Sequence, residues 1–314
     1  MTGDTGREDN APAALSEGLQ RTPAPFIFKR AQSPSPFLFA VPHSGRIYPD
    51  RMRALSDLSD LDLRISEDAY VDKLFEGLTA VGGDLLIATH ARAYLDLNRA
   101  ADELDPSMFT PPLEENTVSE THRVRAGLGL IPRIVAEGMP IYNAPLAARE
   151  AFARLDAVYY PYHQKLMDTL AAKRKQFGCA VLIDCHSMPS DVKPRRRSHT
   201  GPDIVLGDNW GSAGARDLTS IMEELLIRSG FRVRRNVPYS GGYTTQHYGK
   251  PNQGFHALQV EICRSIYMDE ETLEPLETFG DIQDRFQHVC TQLMKRLPAL
   301  LSARYQDDLP KAAE

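Results

Sequence analysis

The sequence predicts an α/β fold, a three-layer sandwich with a mixed central sheet. Three observations predict it. Short apolar runs of strand length alternate with longer segments of helical period. One run, "CAVLIDCHSM" at residues 179–188, is apolar almost throughout, as suits a central strand covered on both faces. A chain of 314 residues with 42% hydrophobic content is also long enough to bury a sizeable core.

Residues 1–22 are polar, contain Pro, Gly and Ala and lack periodicity, so a flexible tail is expected there and another at residues 306–314. Residues 23–305 are expected to form one domain. "PFIFKR" and "PFLFAV" read as two strands forming a hairpin or neighbouring pair. "SEDAYVDKLFEGLTAVGG" reads as a helix capped by Ser66 and ending at Gly82. "DLLIAT" and "AYLDLN" read as strands. In residues 149–178, Phe152, Leu155, Tyr159, Tyr162, Leu166 and Leu170 form one apolar helical stripe, which Pro161 should kink or split. "DIVLGD" and "HALQVEICRS" are further strands; "ARDLTSIMEELLIRSGF" and "FGDIQDRFQHVCTQLMKRL" are helices.

Composition narrows the function. Lys+Arg 36 against Asp+Glu 42 gives a net charge of -6, and the only basic block is "KPRRR" at residues 193–197, so a nucleic-acid surface is not expected. No segment has the length of a membrane span, and the first residues lack the basic start and apolar core of a signal peptide. Four scattered cysteines without a Cys-x-x-Cys pair fit free thiols in a reducing, cytoplasmic compartment. The expected partner is a small anionic molecule.

Several strands finish in residues that carry chemistry, and such ends meet along one rim of an α/β sheet. His43 ends "FAVPHSG" and His186 ends "VLIDCHS". A lone histidine at a strand end is usually structural. Two, each followed by serine, suit one Zn2+ or another divalent ion, because catalytic zinc commonly takes three protein ligands and leaves a fourth position for water. The third ligand is sought in "SEDAYVDKL", where Glu67, Asp68 and Asp72 compete; Asp68 is preferred and Glu67 is second. Acids in a first helical turn also complement the helix dipole, which is their ordinary role.

Glu261 lies between Val260 and Ile262 in an otherwise apolar strand. A buried carboxylate is costly unless compensated, so it either pairs with a residue such as Arg264 or serves as general base beside the ion. The two histidines favour the base. Asn98 and Arg99 of "DLNR" offer amide donors and a planar fork for an anionic substrate end, against a structural Asp96–Arg99 pair. "SGGYTTQHYGKP" at residues 240–251 reads as a mobile loop over a pocket, with His247 as a substrate contact.

Together "VPHSGRIYP", "SEDAYVD", "AYLDLNR", "LDPSMF", "GLGLIPR", "YYPYHQKL", "IDCHSM", "PDIVLGD", "GGYTTQHYGKP" and "LQVEICRSIYMDE" resemble the N-formylglutamate amidohydrolases, a family related to the zinc carboxypeptidases and aspartoacylases. The resemblance runs over most of the chain, from about residue 39 to residue 270. It implies a zinc-exopeptidase (phosphorylase/hydrolase-like) fold and hydrolysis of an N-formyl or N-acyl amino acid, above all N-formyl-L-glutamate, a step of histidine breakdown. It carries zinc binding onto His43, His186 and an acid of "SEDA", the general base onto Glu261, and the carboxylate clamp onto Asn98 and Arg99. Arg92, or an arginine near Arg195, is expected to assist the oxyanion.

Two departures stand out. Zinc carboxypeptidases place a ligand glutamate three residues after the first histidine, where this chain has Arg46. The family's "DTDWH" is here "SEDAY", a comparison that Asp68 survives and Glu67 does not. The rival expectations are a hydrolase of another N-acyl amino acid or small peptide, and a non-catalytic binder of an acidic amino-acid derivative. A serine hydrolase built on Ser187 lacks the Gly-x-Ser-x-Gly elbow.

Overall fold

The computed structural model describes residues 23–114, 117–190 and 201–305. The two expected tails and the basic run with Arg195 lie outside the described residues. The strands are β1 (Phe26–Lys29), β2 (Phe37–Val41), β3 (Asp84–Ala88), β4 (Phe109–Thr110), β5 (Ile134–Ala136), β6 (Met139–Pro140), β7 (Leu146–Ala147), β8 (Ala180–Met188), β9 (Ile204–Gly207), β10 (Val233–Arg235) and β11 (Phe255–Cys263). The helices are α1 (Asp50–Ala54), α2 (Asp60–Arg64), α3 (Val71–Leu74), α4 (His122–Arg125), α5 (Ala148–Arg154), α6 (Tyr160–Phe177), α7 (Arg216–Arg228), α8 (Tyr243–Tyr248) and α9 (Phe279–Tyr305).

Seven strands form the central sheet in the order β1-β3-β2-β8-β11-β9-β10. The inner four, β3, β2, β8 and β11, are mutually parallel; β1 runs antiparallel to β3, and β9, with its parallel neighbour β10, runs antiparallel to β11. The sheet is therefore mixed. Side-chain alternation splits its apolar residues between two layers. Phe37, Phe39, Val41, Val181, Ile183 and Val260 pack with residues of α3, α7 and α9, whereas Leu38, Ala40, Ala180, Leu182 and Ala257 pack with residues of α5 and α6. This is the expected three-layer sandwich.

Local readings differ in four places. β1 and β2 are not neighbours, because β3 lies between them. Wholly buried β2 demands a partner on each side, while half-buried β1 suits an edge. Residues 66–70 are not helical: Asp68 N–H donates to the His43 carbonyl at 3.0 Å, Ser44 Oγ donates to the Asp68 carbonyl at 2.7 Å, and Tyr70 has φ 63. α3 begins only after this pinned turn. "AYLDLN" is a series of turns in which Tyr94 and Leu95 both donate to the Ala91 carbonyl, although Leu95 and Leu97 are buried as their alternation requires. The long helix is split as expected, by a wide turn at Leu155–Tyr159 just before Pro161 removes a backbone donor, and the difference there lies in its stripe. Phe152, expected in the buried stripe, is 53% exposed.

Candidate metal centre and active site

The carboxyl ends of the four parallel strands point to one rim, and the candidate residues gather there. His43 follows β2 through a turn in which Gly45 has no room for a Cβ, since one would strike the His90 carbonyl. His186 sits in β8 directly beside Glu261 of β11 in the parallel register. Asp68 reaches the same point from the pinned turn before α3.

Three buried atoms face one another: His43 Nδ1, His186 Nδ1 and Asp68 Oδ2. The nitrogens are 3.1 Å apart, and each lies 3.3 or 3.1 Å from the carboxylate oxygen. Ligands at about 2.0–2.1 Å from a tetrahedral zinc stand about 3.3–3.4 Å from each other. The donor set fits such an ion.

Each imidazole is backed by a carboxylate at its other nitrogen. His43 Nε2 is 2.8 Å from Asp96 Oδ1, which directs the unprotonated Nδ1 inward. Asp96 also accepts from Arg92 Nε at 3.0 Å and from Asn98 N–H at 2.9 Å, with Arg99 Nη2 at 3.5 Å. Burial works to raise the Asp96 carboxyl, but Arg99, Arg92 and His43 hold it well below the usual carboxylate range. His186 Nε2 is 3.0 Å from Asp184 Oδ2. That contact is a charge pairing rather than an aligned hydrogen bond, since neither Asp184 oxygen finds an aligned donor among the described residues. Burial works to lower the His186 imidazole, yet Asp184, Asp68 and Glu261 drive it well above its usual range.

Asp68 presents one oxygen to the centre because the other is taken. Oδ1 lies 3.2 Å from both Arg264 Nη2 and Ser187 Oγ, and Arg264 also donates to Ser187 Oγ at 3.1 Å and to the Ile65 carbonyl at 2.9 Å. Arg264 therefore pairs with Asp68, not with Glu261, and the Ser187 hydroxyl is a structural link. Glu67 is turned to Tyr48 OH at 2.6 Å and to Arg64, while Asp72 pairs with Arg46 at 3.3 Å. Of the three competing acids, only Asp68 reaches the histidines.

Glu261 is buried, and burial is the main reason its carboxyl is pushed up to about 7; His186 and Arg92 oppose the shift, while Asp68 and Asp184 add to it. Gln259 Nε2 donates to Glu261 Oε1 at 2.7 Å. The three ligand residues and Glu261 line one cavity of about 390 Å³, with Arg92, Arg99, Arg123 and Arg264 in its wall. This concentration of guanidinium groups suits a substrate bearing carboxylates.

The expected substrate contacts are distributed unevenly. Asn98 lines the cavity, but its amide is engaged: Oδ1 accepts from Thr244 N–H at 2.8 Å and Nδ2 lies 3.2 Å from His186 Nε2. Arg99 lines it too, donating to the Leu128 and Asn98 carbonyls at 2.8 Å; burial lowers it to about 10 against the pull of Asp96, so it remains a cation at neutral pH. His247 does not line the cavity. Residues 243–248 are helix α8 rather than an open loop, and its i, i+4 spacing stacks His247 on Tyr243 at 4.9 Å. Sequence reasoning missed the supporting roles of Asp96 and Asp184, the Arg264–Asp68 link, Arg123, and Gln259. Gln259 was discoverable, since it stands two residues before Glu261 on the same strand face.

The sequence model of the N-formylglutamate amidohydrolase family matches residues 35–268. The N-formylglutamate deformylase of Pseudomonas aeruginosa is 30% identical over 289 residues, covering 88% of this chain and 97% of that protein. The N-formylglutamate deformylase of Pseudomonas putida is 29% identical over 276 residues, 86% of this chain and 95% of its own. The crystal structure of N-formylglutamate amidohydrolase from Ralstonia eutropha JMP134 superposes with a TM-score of 0.80 at 32% identity, covering 90% of this chain and 99% of that one.

Proposed function

This chain belongs to the N-formylglutamate amidohydrolase family, and from that premise we propose that it hydrolyses N-formyl-L-glutamate to formate and L-glutamate, using one divalent ion, zinc by preference, held by His43, Asp68 and His186. The observation that carries the reading is the set of three ligand atoms at tetrahedral spacing with buried Glu261 on the adjacent strand. When bound, the ion supplies Lewis acidity that polarises the formyl carbonyl and acidifies water.

The chain's own groups do the rest. Glu261 accepts a proton from the attacking water at Oε2, because Oε1 is already held by Gln259, and returns it to the amide nitrogen as the C–N bond breaks. Burial raises this carboxyl above the usual range, which favours its taking up a proton and passing it on. Arg92, fixed by Asp96, faces the developing oxyanion, and Arg99 holds a substrate carboxylate with Asn98 setting the local backbone. The four buried free thiols accord with a reducing, cytoplasmic setting.

Formate release from N-formyl-L-glutamate, compared with acetate or amino-acid release from N-acetyl and peptidyl glutamates and aspartates, tests the assignment. Protein purified without added metal is expected to carry one ion per chain and to favour the formyl substrate. Metal-replete protein that turned over only the acetyl or peptidyl compounds, or none of them, would overturn it.

A further inference from the structure

The glycine-rich segment before α8 is hydrogen-bonded to two side-chain amides of the centre, one of which also holds Glu261. Gln259 Oε1 accepts from Gly242 N–H at 2.7 Å, while its Nε2 donates to Glu261 Oε1 at 2.7 Å. Asn98 Oδ1 accepts from Thr244 N–H at 2.8 Å, while its Nδ2 faces His186 Nε2 at 3.2 Å. The segment lies close in: Gly241 has φ 125, a Cβ on Gly242 would strike the Asn98 amide, and one on Gly207 would meet the Gly241 nitrogen at 2.7 Å. Ser240, Gly241 and Gly242 themselves line the substrate cavity.

A primary amide has one acceptor end and one donor end, so fixing the first fixes the second. With Oε1 committed to the Gly242 N–H, Gln259 must present Nε2 to Glu261. The glutamate is thereby held by Oε1, and Oε2 is left open to the cavity. If the segment withdraws, the amide is free to turn, and its oxygen then opposes the carboxylate instead of donating to it.

We propose that Gln259 is a positioning residue that couples the cavity-lining segment at residues 240–242 to the orientation of Glu261. The proposal rests on the reading of Glu261 as general base and extends it to a residue outside the reacting set. Substrate pressed against the segment secures the Gly242 hydrogen bond, and that bond in turn sets the base.

The experiment combines a double-mutant cycle with amide hydrogen exchange. Gln259→Met removes both bonds, whereas Gln259→Glu keeps an acceptor for Gly242 and sets a second carboxyl against Glu261, which repels it or shares a proton with it and so shifts the pH–rate profile. Each is expected to lower kcat 10- to 100-fold with KM and metal content little changed. In a Glu261→Gln background, Gln259→Met should alter the residual turnover less than twofold. An equal loss in both backgrounds would overturn the coupling. Gly242 amide protection should fall at least tenfold in Gln259→Met and persist in Gln259→Glu; unchanged protection in Gln259→Met would overturn the link whether or not the protein acts on N-formyl-L-glutamate. If the methionine variant does not fold, the glutamate variant alone decides: an unchanged kcat together with an unchanged pH–rate profile refutes the proposal. Absence of any turnover by the unmodified protein refutes the substrate assignment, while the exchange result still judges the link.

Discussion

The carboxylates behind His43 and His186 stand at similar distances from their imidazoles, 2.8 and 3.0 Å, in opposite surroundings. Asp96 is surrounded by permanent donors: Arg92, the Asn98 N–H and, slightly further away, Arg99. Asp184 has only the His186 contact and no aligned donor of its own among the described residues. One ligand is thus supported by a cationic network that exists before any ion arrives. The other relies on its own imidazole for charge balance. Two ligands that would look equivalent to an ion are therefore unequal to the fold.

The largest effect should come from removing either ligand, where that inequality disappears. His43→Ala and His186→Ala are each expected to lose the bound ion, read by elemental analysis, and at least about 10³-fold in kcat/KM. A variant retaining full metal content would break the picture of a shared centre. The next experiment separates the two sides. Asp96→Asn and Asp184→Asn should each weaken metal affinity about 10- to 100-fold, the usual cost of losing a partner behind a ligand. Only Asp96→Asn should also lower the thermal midpoint of the metal-free protein markedly, because it strands Arg92 and Arg99. Equal midpoints would remove the distinction.

Smaller still is the pH effect on the His186 side, where Glu261 lies. A base must be ionised, and burial raises this carboxyl to about 7 in the metal-free protein; a bound cation pulls it down from there, so kcat/KM should fall about tenfold per unit along an acid limb that lies below pH 7. In Glu261→Gln this limb should vanish along with most of the activity; an identical limb in that variant would assign it to another group. The smallest signal is a proton count. Asp184 and Asp68 raise the His186 imidazole against its burial in the metal-free protein, so zinc uptake at neutral pH should release protons, measured by calorimetry in buffers of different ionisation enthalpy. Release should disappear in Asp184→Asn.

The legible parts of this molecule were those governed by periodicity and burial cost. β8 and β11 announced themselves as apolar runs, and Glu261 was conspicuous as an acid within one of them. His43 and His186 were visible as strand-end histidines, and Asp68 as one of three nearby acids. The choice among those acids depends on side-chain direction: Tyr48 draws Glu67 away and Arg46 draws Asp72 away, through contacts 19 and 26 residues distant in sequence. Such pairings leave no local pattern. The helix expected from Ser66 failed for a similar reason: the His43 carbonyl holds the Asp68 N–H, and Tyr70 takes φ 63, a left-handed turn that ends any helical run before Val71. His247 was misplaced because glycines 241 and 242 suggested an open loop, whereas Gly242 lies close against Asn98 and Gly241 against Thr245.

The wide spacing of the ligands along the chain has a consequence for biosynthesis. His43 and Asp68 leave the ribosome far ahead of His186, which follows Asp68 by 118 residues, and Arg264, which secures Asp68, comes later still, 196 residues after it. No early fragment carries the complete chelating set, so an ion cannot template the first stages of co-translational folding. Under the proposed function, metallation is a finishing event that follows folding.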